Sequence, residues 1–202
     1  IADNRKLRGI IAIADTVRPE SAEAIKRLHA IGVSTMLLSG DAQAVADEIG
    51  SKLGIQTIHG NVKPDGKAAE VAALSAQGKT VGMIGDGIND APALAAADVG
   101  IAMGSGTDVA IESADITLMR GSLHGVADAI EISNATMRNI RQNLFGAFIY
   151  NSLGIPIAAG LLYPLIGVLL HPIIACTAMA FSSVTVVSKS NRLRLFKFTK
   201  TS

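Results

Sequence analysis

The chain has 202 residues, of which 49% are hydrophobic, 17% charged and 3% aromatic, with a mean hydropathy of +0.40. This composition excludes a disordered chain, and the single cysteine excludes a framework of disulfides. The net charge of +1 conceals an uneven division, because all 17 acidic residues and 11 basic residues lie in residues 1–131, whereas residues 132–202 contain seven basic residues and no acidic one.

This division predicts two parts, 1–131 and 132–202, that occupy different surroundings. Nucleic acid is not an expected partner, because the middle of the basic part carries no charge. The first part alternates between apolar segments and helical segments, which predicts an α/β domain with a parallel sheet. The predicted strands are 9–14, 33–38, 55–59, 80–84, 99–102 and 116–119, and the predicted helices are 20–31, 42–53 and 65–77.

The ends of these helices are marked by residues with a clear conformational preference. Pro19 and Pro64 stand at the first turn of the first and third predicted helices, where proline is favoured. Asp41 is expected to cap the second helix, and Gly54 is expected to end it.

Two motifs that could bind a ligand lie beside predicted strand ends, where ligands of parallel sheets bind. Ser39, Gly40 and Asp41 directly follow a strand, so the hydroxyl and nearby backbone N–H groups could hold a phosphate, although Ser-Gly-Asp is also a common turn. Lys67 lies in the first turn of a predicted helix, where the helix dipole disfavours a cation. An anionic partner would explain Lys67, but a solvated surface lysine remains the alternative.

The third motif, Gly85-Asp86-Gly87-Ile88-Asn89-Asp90-Ala91-Pro92, is the most specific of the three. Asp86 and Asp90 are two carboxylates four positions apart, in a turn whose glycines allow close approach of a ligand. Mg²⁺ typically takes one or two carboxylates and leaves its other positions to water and phosphate. The pattern therefore predicts a magnesium and phosphoryl site, with a capped structural turn as the alternative.

The second part contains 46 consecutive residues, 143–188, without Lys, Arg, Asp or Glu. This length fits two membrane-spanning helices, predicted at about 143–162 and 172–188 and joined by a short loop. Helical sequence is expected to run from Ser122 through Ile132, Met137 and Ile140 into the first of them, so that one long helix connects the two parts. Basic residues flank the pair on both sides, so both ends are expected in the cytoplasm. An apolar buried hairpin of a large soluble protein is the alternative.

The three motifs, followed by Val-Gly-Ile-Ala-Met-Gly at 99–104, resemble the phosphorylation domain of P-type ATPases, and residues 143–188 resemble the last helix pair of their heavy-metal branch. The resemblance implies a haloacid-dehalogenase-like Rossmannoid sheet, a transmembrane hairpin and an aspartyl-phosphate intermediate. It implies that Ser39 and Lys67 bind phosphoryl oxygens and that Asp86 ligates Mg²⁺, with Asn89 and Asp90 supporting it. The catalytic residues that it implies are Ser39, Gly40, Asp41, Lys67 and Asn89, and the magnesium residues are Asp86 and Asp90.

Polar side chains within the apolar stretch indicate the transported ion, because polar groups in a bilayer usually face the interior of a helix bundle. Met179 and Ser183 are four apart and share a helix face, and a thioether suits Cu(I). Neither helix contains a carboxylate or lysine, which argues against a zinc site. By resemblance to the copper(I)-exporting subgroup, Tyr150, Asn151, Met179 and Ser183 would bind Cu(I), although methionine packing and serine back-bonding are alternatives.

The resembled pumps carry their phosphorylated aspartate in an Asp-Lys-Thr-Gly motif that is absent from this chain. The chain is therefore expected to be the C-terminal portion of a larger copper(I) pump in the plasma or inner membrane, with its soluble part in the cytoplasm. Its expected partners are Cu(I), the lipid bilayer and the missing N-terminal portion, which would bind ATP, and it is not expected to be active alone. The alternatives are a non-catalytic metal-binding membrane subunit and a membrane-anchored phosphatase that uses Asp15.

Overall fold

The structure is a computed structural model that describes residues 2–3, 6–7, 17–161, 163–167 and 171–198. The strand predicted at 9–14 and the alternative nucleophile Asp15 lie outside the described residues. The chain divides into two compact units, Ile1–Ala127 and Asp128–Ser202. Each unit is described separately.

The first unit alternates strands and helices, which confirms the predicted α/β class with parallel pairing. Its strands are β1 Ala2–Asp3, β2 Lys6–Leu7, β3 Met36–Leu38, β4 Thr57–His59, β5 Gly82–Gly85, β6 Val99–Met103 and β7 Ile116–Leu118. Its helices are α1 Pro19–Ala30, α2 Gln43–Leu53, α3 Pro64–Ala76, α4 Ala91–Ala96 and α5 Asp108–Glu112, with a 3-10 turn at Ile88–Asp90.

The strands that carry the motifs pair in parallel. Strand β3 pairs with β4, and β6 lies between β5 and β7, with Ile84 opposite Ile101 and Ile101 opposite Ile116. The short strands β1 and β2, which were not predicted, form a separate antiparallel pair. Parallel pairing brings the carboxyl ends of β5 and β6 to the same edge, and the loops that follow these two strands meet there.

The predicted helix starts at Pro19 and Pro64 are confirmed, since each proline is the first residue of its helix. Gly54 ends α2 in the left-handed conformation with φ of 74°, also as predicted. The prediction that Asp41 caps α2 is wrong. The N-cap is Ala42, which has no side-chain oxygen, and the Asp41 carboxylate instead accepts a hydrogen bond from the Ser39 hydroxyl.

A small apolar core fixes the elements around the third motif. Its buried members come from α3, β5, α4 and α5, and they are Val71, Met83, Ala93, Leu94 and Ala110. Leu94 and Val71 are almost completely buried, and full burial of such side chains contributes about 1.5–3 kcal/mol each. This core therefore holds α3, which carries Lys67, against the strand and helix on either side of the Asp86 turn.

The helices of the second part are α6 His124–Ala158, α7 Tyr163–Ile166 and α8 Pro172–Asn191, followed by a 3-10 turn at Arg192–Leu195. Two hydrogen bonds join α6 to the end of α8. The Asn139 side chain donates to the Lys189 carbonyl at 3.1 Å, and the Asn143 side chain donates to the Ser190 hydroxyl at 3.2 Å.

Helix α6 runs without a break into the segment predicted at 143–162, which confirms the long helix expected from Ser122 onward, but it ends earlier than predicted. Helix α6 begins at His124 and ends at Ala158, where Gly160 takes a φ of 91° and the Leu161 N–H bonds back to the Pro156 carbonyl. This is a typical glycine-terminated helix end, and it stops the helix before the apolar stretch is finished. Among the residues placed by the structure, no helix combines the length and the apolar character needed to cross a membrane. The predicted transmembrane hairpin is therefore not supported by these helices.

Candidate functional site

Asp86 is the first residue after β5, at the carboxyl end of the strand. Its side chain is exposed, and no donor among the described residues contacts its carboxylate. Asn89, in the 3-10 turn that follows, is exposed as well. The edge of the sheet thus presents one free carboxylate and one amide, which are oxygen ligands of the kind that Mg²⁺ prefers.

Asp90 has a different environment from Asp86, because only 8% of its surface is exposed. Its Oδ1 accepts a hydrogen bond from Lys67 Nζ at 2.7 Å, and this ion pair is largely buried on both sides. Its Oδ2 lies 3.4 Å from the backbone nitrogens of Asp86 and Gly87, which donate to it. Asp90 therefore links the lysine on α3 to the backbone of the turn that carries the Asp86 carboxylate.

Position 85 must be a glycine because Asp90 leaves no room there for a side chain. A Cβ atom at position 85 would lie 2.5 Å from the Asp90 Cβ, a distance that side chains essentially never adopt. Any larger residue would push Asp90 away from the N–H groups of Asp86 and Gly87. The glycine at the end of β5 is thus part of the support for the buried carboxylate.

The loop after β6 also holds the Asp86 turn, and the sequence analysis did not identify its role. The Thr107 N–H donates to the Asp86 carbonyl at 2.9 Å, and a Cβ at Gly106 would lie 2.6 Å from the same oxygen. The available signal was a second glycine two positions after Gly104, directly beyond a predicted strand. The contact joins segments about twenty residues apart in the chain, so a local pattern of residues does not predict it.

We expect Gly106→Ala to lower the free energy of unfolding by about 1–3 kcal/mol, as overpacking of a close contact does. The added methyl group must displace the Asp86 carbonyl, because both atoms belong to backbone or to a fixed Cβ. Denaturant titration of the chain measures the change. Gly82→Ala in β5 is the matched control, since its Cβ would meet only the Val99 carbonyl at an ordinary 3.8 Å. Equal stability of the two variants would contradict the proposed close contact.

Ser39, Gly40 and Asp41 form a tight turn at the end of β3. The Ser39 hydroxyl donates to Asp41 Oδ2 at 2.8 Å and accepts from the Asp41 N–H at 3.1 Å. Backbone hydrogen bonds join this turn to the loop after β4, including Val62 N–H to the Ser39 carbonyl at 2.9 Å and Asn61 N–H to the Asp41 carbonyl at 2.6 Å. The turn is therefore anchored to the segment that leads into α3.

This segment connects two of the three motifs. Val62 bonds to Ser39 and lies two residues before Pro64, the first residue of α3. Lys67, in the first turn of the same helix, bonds to Asp90. The structure thus brings Lys67 and Asp90 into direct contact, and a stretch of six residues leads from the Ser39 turn to that pair.

Of the four residues predicted to bind Cu(I), only Tyr150 lines the gap that the described residues form between α6 and α8. Tyr150 lines this gap together with Ser182, but Asn151, Met179 and Ser183 are not among its lining residues. The Asn151 amide donates to the Ala147 carbonyl at 3.0 Å, and the Ser183 hydroxyl donates to the Met179 carbonyl at 3.3 Å. Met179 is 68% exposed. The Ser183 hydroxyl and one N–H of the Asn151 amide are therefore hydrogen-bonded within their own helices.

No cluster of three or more His, Cys, Asp and Glu side chains suited to a metal occurs in the part of the chain that the structure describes. The donors at the Asp86 turn nevertheless fit Mg²⁺, because this ion is commonly bound by one or two carboxylates together with water and substrate phosphate. Asp86 has a free carboxylate, whereas both oxygens of Asp90 already accept hydrogen bonds.

Comparison with known proteins identifies relatives of both the domain and the whole chain. Residues 1–98 match the haloacid dehalogenase-like hydrolase family. The copper-exporting P-type ATPase of Vibrio cholerae is 58% identical over 197 residues, which are 98% of this chain and 22% of that protein. The silver exporting P-type ATPase of Salmonella typhimurium is 52% identical over 200 residues, 99% of this chain and 24% of that protein.

Solved structures give a similar result. A zinc-transporting PIB-type ATPase in its E2.Pi state aligns with a TM-score of 0.81 at 39% identity, and the alignment covers 94% of this chain and 30% of that one. The chain spans about a quarter of the length of the curated relatives that it matches.

Proposed function

We propose that this chain, a homologue of the copper-exporting P-type ATPases with a haloacid-dehalogenase-like domain, forms part of an ATP-driven copper(I) pump. In that pump it would supply the magnesium and phosphate site and one section of the metal path. The observation that carries the proposal is the free Asp86 carboxylate at the end of β5, beside the buried Lys67–Asp90 pair. An exposed anion next to a fixed cation suits a phosphoryl group with its metal ion.

The residues of the first unit have distinct roles in this proposal. Asp86 would hold Mg²⁺, and the bound ion would neutralise part of the charge of the phosphoryl group. Lys67 would contribute positive charge, while Ser39 would contribute a hydroxyl and Gly40 an unobstructed backbone to the phosphoryl oxygens. Asp41 would orient the Ser39 hydroxyl, to which it is already bonded, and Asn89 would support the oxygens beside Asp86.

The phosphorylated residue of this pump would be an aspartate outside this chain, and ATP would bind to another domain. Asp90 would act as a positioning residue, because its contacts with Lys67 and with two backbone N–H groups fix the turn rather than leave oxygens free. The chain alone would then bind Mg²⁺ and phosphate weakly and would not hydrolyse ATP.

The proposal places α6 and α8 in the plasma or inner membrane of a multi-pass pump, with the first unit in the cytoplasm. Large apolar side chains on both helices are exposed, among them Phe145, Phe148 and Phe181, each at least 63% exposed. The bond from the Ser183 hydroxyl and the one from the Asn151 amide to their own helices lower the cost of placing these side chains in an apolar medium. The lipid bilayer is therefore a proposed partner of the second unit.

Copper(I) is the proposed cargo, and Tyr150, Asn151, Met179 and Ser183 are its proposed path. The sequence relatives named above export copper or silver, whereas the structural neighbour transports zinc. A thioether such as Met179 is a soft ligand that favours Cu(I) over Zn²⁺. Back-bonding does not remove the acceptor oxygens of Asn151 and Ser183, which could assist weakly and allow the ion to leave.

We expect Met179→Leu to abolish copper-stimulated ATP turnover in the complete pump. Leucine preserves the volume of methionine and removes only the sulfur, so packing should survive. Phosphorylation of the pump by inorganic phosphate should persist, because it depends on Asp86 and Lys67. Met137→Leu, at an exposed position of α6 outside the proposed path, is the control. Full copper-stimulated turnover in the Met179 variant would assign Met179 to packing.

The proposed function as a whole is tested with a chimeric pump. The matching segment of the Vibrio cholerae copper-exporting ATPase, which is 58% identical, is replaced by this chain. We expect the chimera to restore copper resistance to a sensitive strain and its ATP turnover to be stimulated by Cu(I) rather than Zn²⁺. A chimera that is inserted and phosphorylated but responds to Zn²⁺ alone would refute the cargo assignment.

A further inference from the structure

The end of the α6–α8 pair carries a group of basic residues that the proposed function does not use. The group, termed the basic end, consists of Arg138, Arg141, Lys189, Arg192, Arg194 and Lys197. Although the two arginines on α6 lie about fifty residues before the other four, hydrogen bonds bring the segments together. The Asn139 amide donates to the Lys189 carbonyl at 3.1 Å, and the Asn143 amide donates to the Ser190 hydroxyl at 3.2 Å.

The part of the chain that carries the basic end has no acidic residue of its own. Residues 132–202 contain no Asp or Glu, and within the described residues none of the six basic side chains forms an ion pair. All are exposed except Lys189, which is partly buried. Because these positive charges are not paired with acidic side chains among the described residues, they can attract an external anionic surface.

Apolar side chains are interleaved with the basic ones after α8. The segment Arg-Leu-Arg-Leu-Phe-Lys-Phe at 192–198 alternates the two classes, with Leu195 79% exposed and Phe198 43% exposed. The rings of Phe196 and Phe198 pack edge to face, with centroids 5.4 Å apart. Exposed Val187 continues the apolar surface onto α8, so apolar and cationic groups adjoin at one end of the helix pair.

We propose that the basic end binds the surface of a bilayer rich in anionic phospholipids, with its arginine and lysine side chains on the phosphate groups and Leu195 and Phe198 among the acyl chains beneath them. Interfacial segments have this combination of cations and large apolar residues. Nucleic acid would match the charge, but it would leave the exposed leucine and the apolar face of α8 uncovered. The inference rests on the proposed function only in placing α6 and α8 at a bilayer.

The test uses a fluorescent reporter, because the chain contains no tryptophan. Phe198→Trp keeps an aromatic ring and introduces a single emitter. The 202-residue chain is reconstituted into vesicles of phosphatidylcholine with about 30 mol% phosphatidylglycerol, a charge density that gives a negative surface potential. Two vesicle preparations are compared: in one the phosphatidylcholine carries brominated acyl chains, and in the other the phosphatidylglycerol does. Bromine quenches tryptophan fluorescence on contact.

We expect brominated phosphatidylglycerol to quench the reporter at least about twofold more than brominated phosphatidylcholine at equal mole fraction, because basic residues enrich anionic lipid around them. The preference should disappear in about 1 M NaCl, where the Debye length falls to about 3 Å. It should also disappear when three charges are neutralised in the reporter background, by Arg192→Gln, Arg194→Gln and Lys197→Gln. The matched control neutralises three basic residues of the first unit, Lys26→Gln, Lys52→Gln and Lys79→Gln, and should keep the preference.

The outcomes separate this inference from the proposed function. Equal quenching by both lipids would place the reporter at a bilayer but overturn the recognition of anionic lipid. No quenching by either lipid would overturn the inference and the membrane placement together. Emission that responds to single-stranded DNA and not to phosphatidylglycerol would overturn the inference and identify a nucleic-acid surface instead.

Discussion

Asp86→Asn is expected to reduce phosphoenzyme formation by the complete pump about 100-fold or more at ordinary Mg²⁺ concentrations. Metal-ion stabilisation of a phosphoryl group contributes several kcal/mol, and about 1.4 kcal/mol corresponds to a tenfold change. Asp86 is the exposed carboxylate at the end of β5, and its charge is not shared with another described residue. Asparagine keeps the size of the side chain, so the loss of phosphoenzyme reports the effect of removing the charge. Phosphorylation from labelled ATP as a function of Mg²⁺ concentration provides the measurement.

The fold of the variant and the identity of the metal ligand need separate controls. Glu112→Gln removes an exposed carboxylate from the last turn of α5 and should leave the phosphoenzyme level unchanged. If Asp86 holds the ion, raising Mg²⁺ should restore part of the signal in Asp86→Asn. A variant with near-normal phosphoenzyme at low Mg²⁺ would show that another group binds the metal.

Asp90→Asn is expected to destabilise the chain by about 2 kcal/mol or more. Removing one partner of a buried ion pair leaves the other charge uncompensated, at about 3–5 kcal/mol for full burial, and the small exposure of this pair reduces that cost. The side chains of Lys67 and Asp90 are 16% and 12% exposed, and their charged atoms are 2.7 Å apart. Denaturant titration of the single variants and of the double variant Lys67→Met with Asp90→Asn measures the coupling between them.

The double variant should recover part of the lost stability, because it leaves no isolated charge. The Lys52–Glu48 pair on α2 provides a control, since it is exposed on both sides and Lys52→Met should change stability by less than about 0.5 kcal/mol. Additive effects of Lys67→Met and Asp90→Asn would contradict the structure, because they would mean that the two side chains do not interact.

Local preferences in the sequence determined most of the first unit. Proline at the first turns of α1 and α3, a left-handed glycine after α2, and alternation of apolar and helical segments depend on neighbours within a few residues. The Asp86 turn could also be predicted, because glycines and carboxylates directly follow a strand of apolar residues. The prediction that Asp41 caps α2 failed because the Ser39 hydroxyl competes for the same carboxylate and Ala42 is the N-cap instead.

The resemblance already implied that Asp86 binds the metal and that Asp90 supports it, but only the tertiary structure decided what holds Asp90 in place. Sequence spacing treats Asp86 and Asp90 alike, but the core that holds α3 brings Lys67 to Asp90 across 23 residues and leaves Asp86 exposed. Likewise, the parallel register of β5 and β6 delivers Thr107 to the Asp86 carbonyl. Contacts of this range depend on how elements pack rather than on local conformational preference, so no pattern of neighbouring residues specifies them.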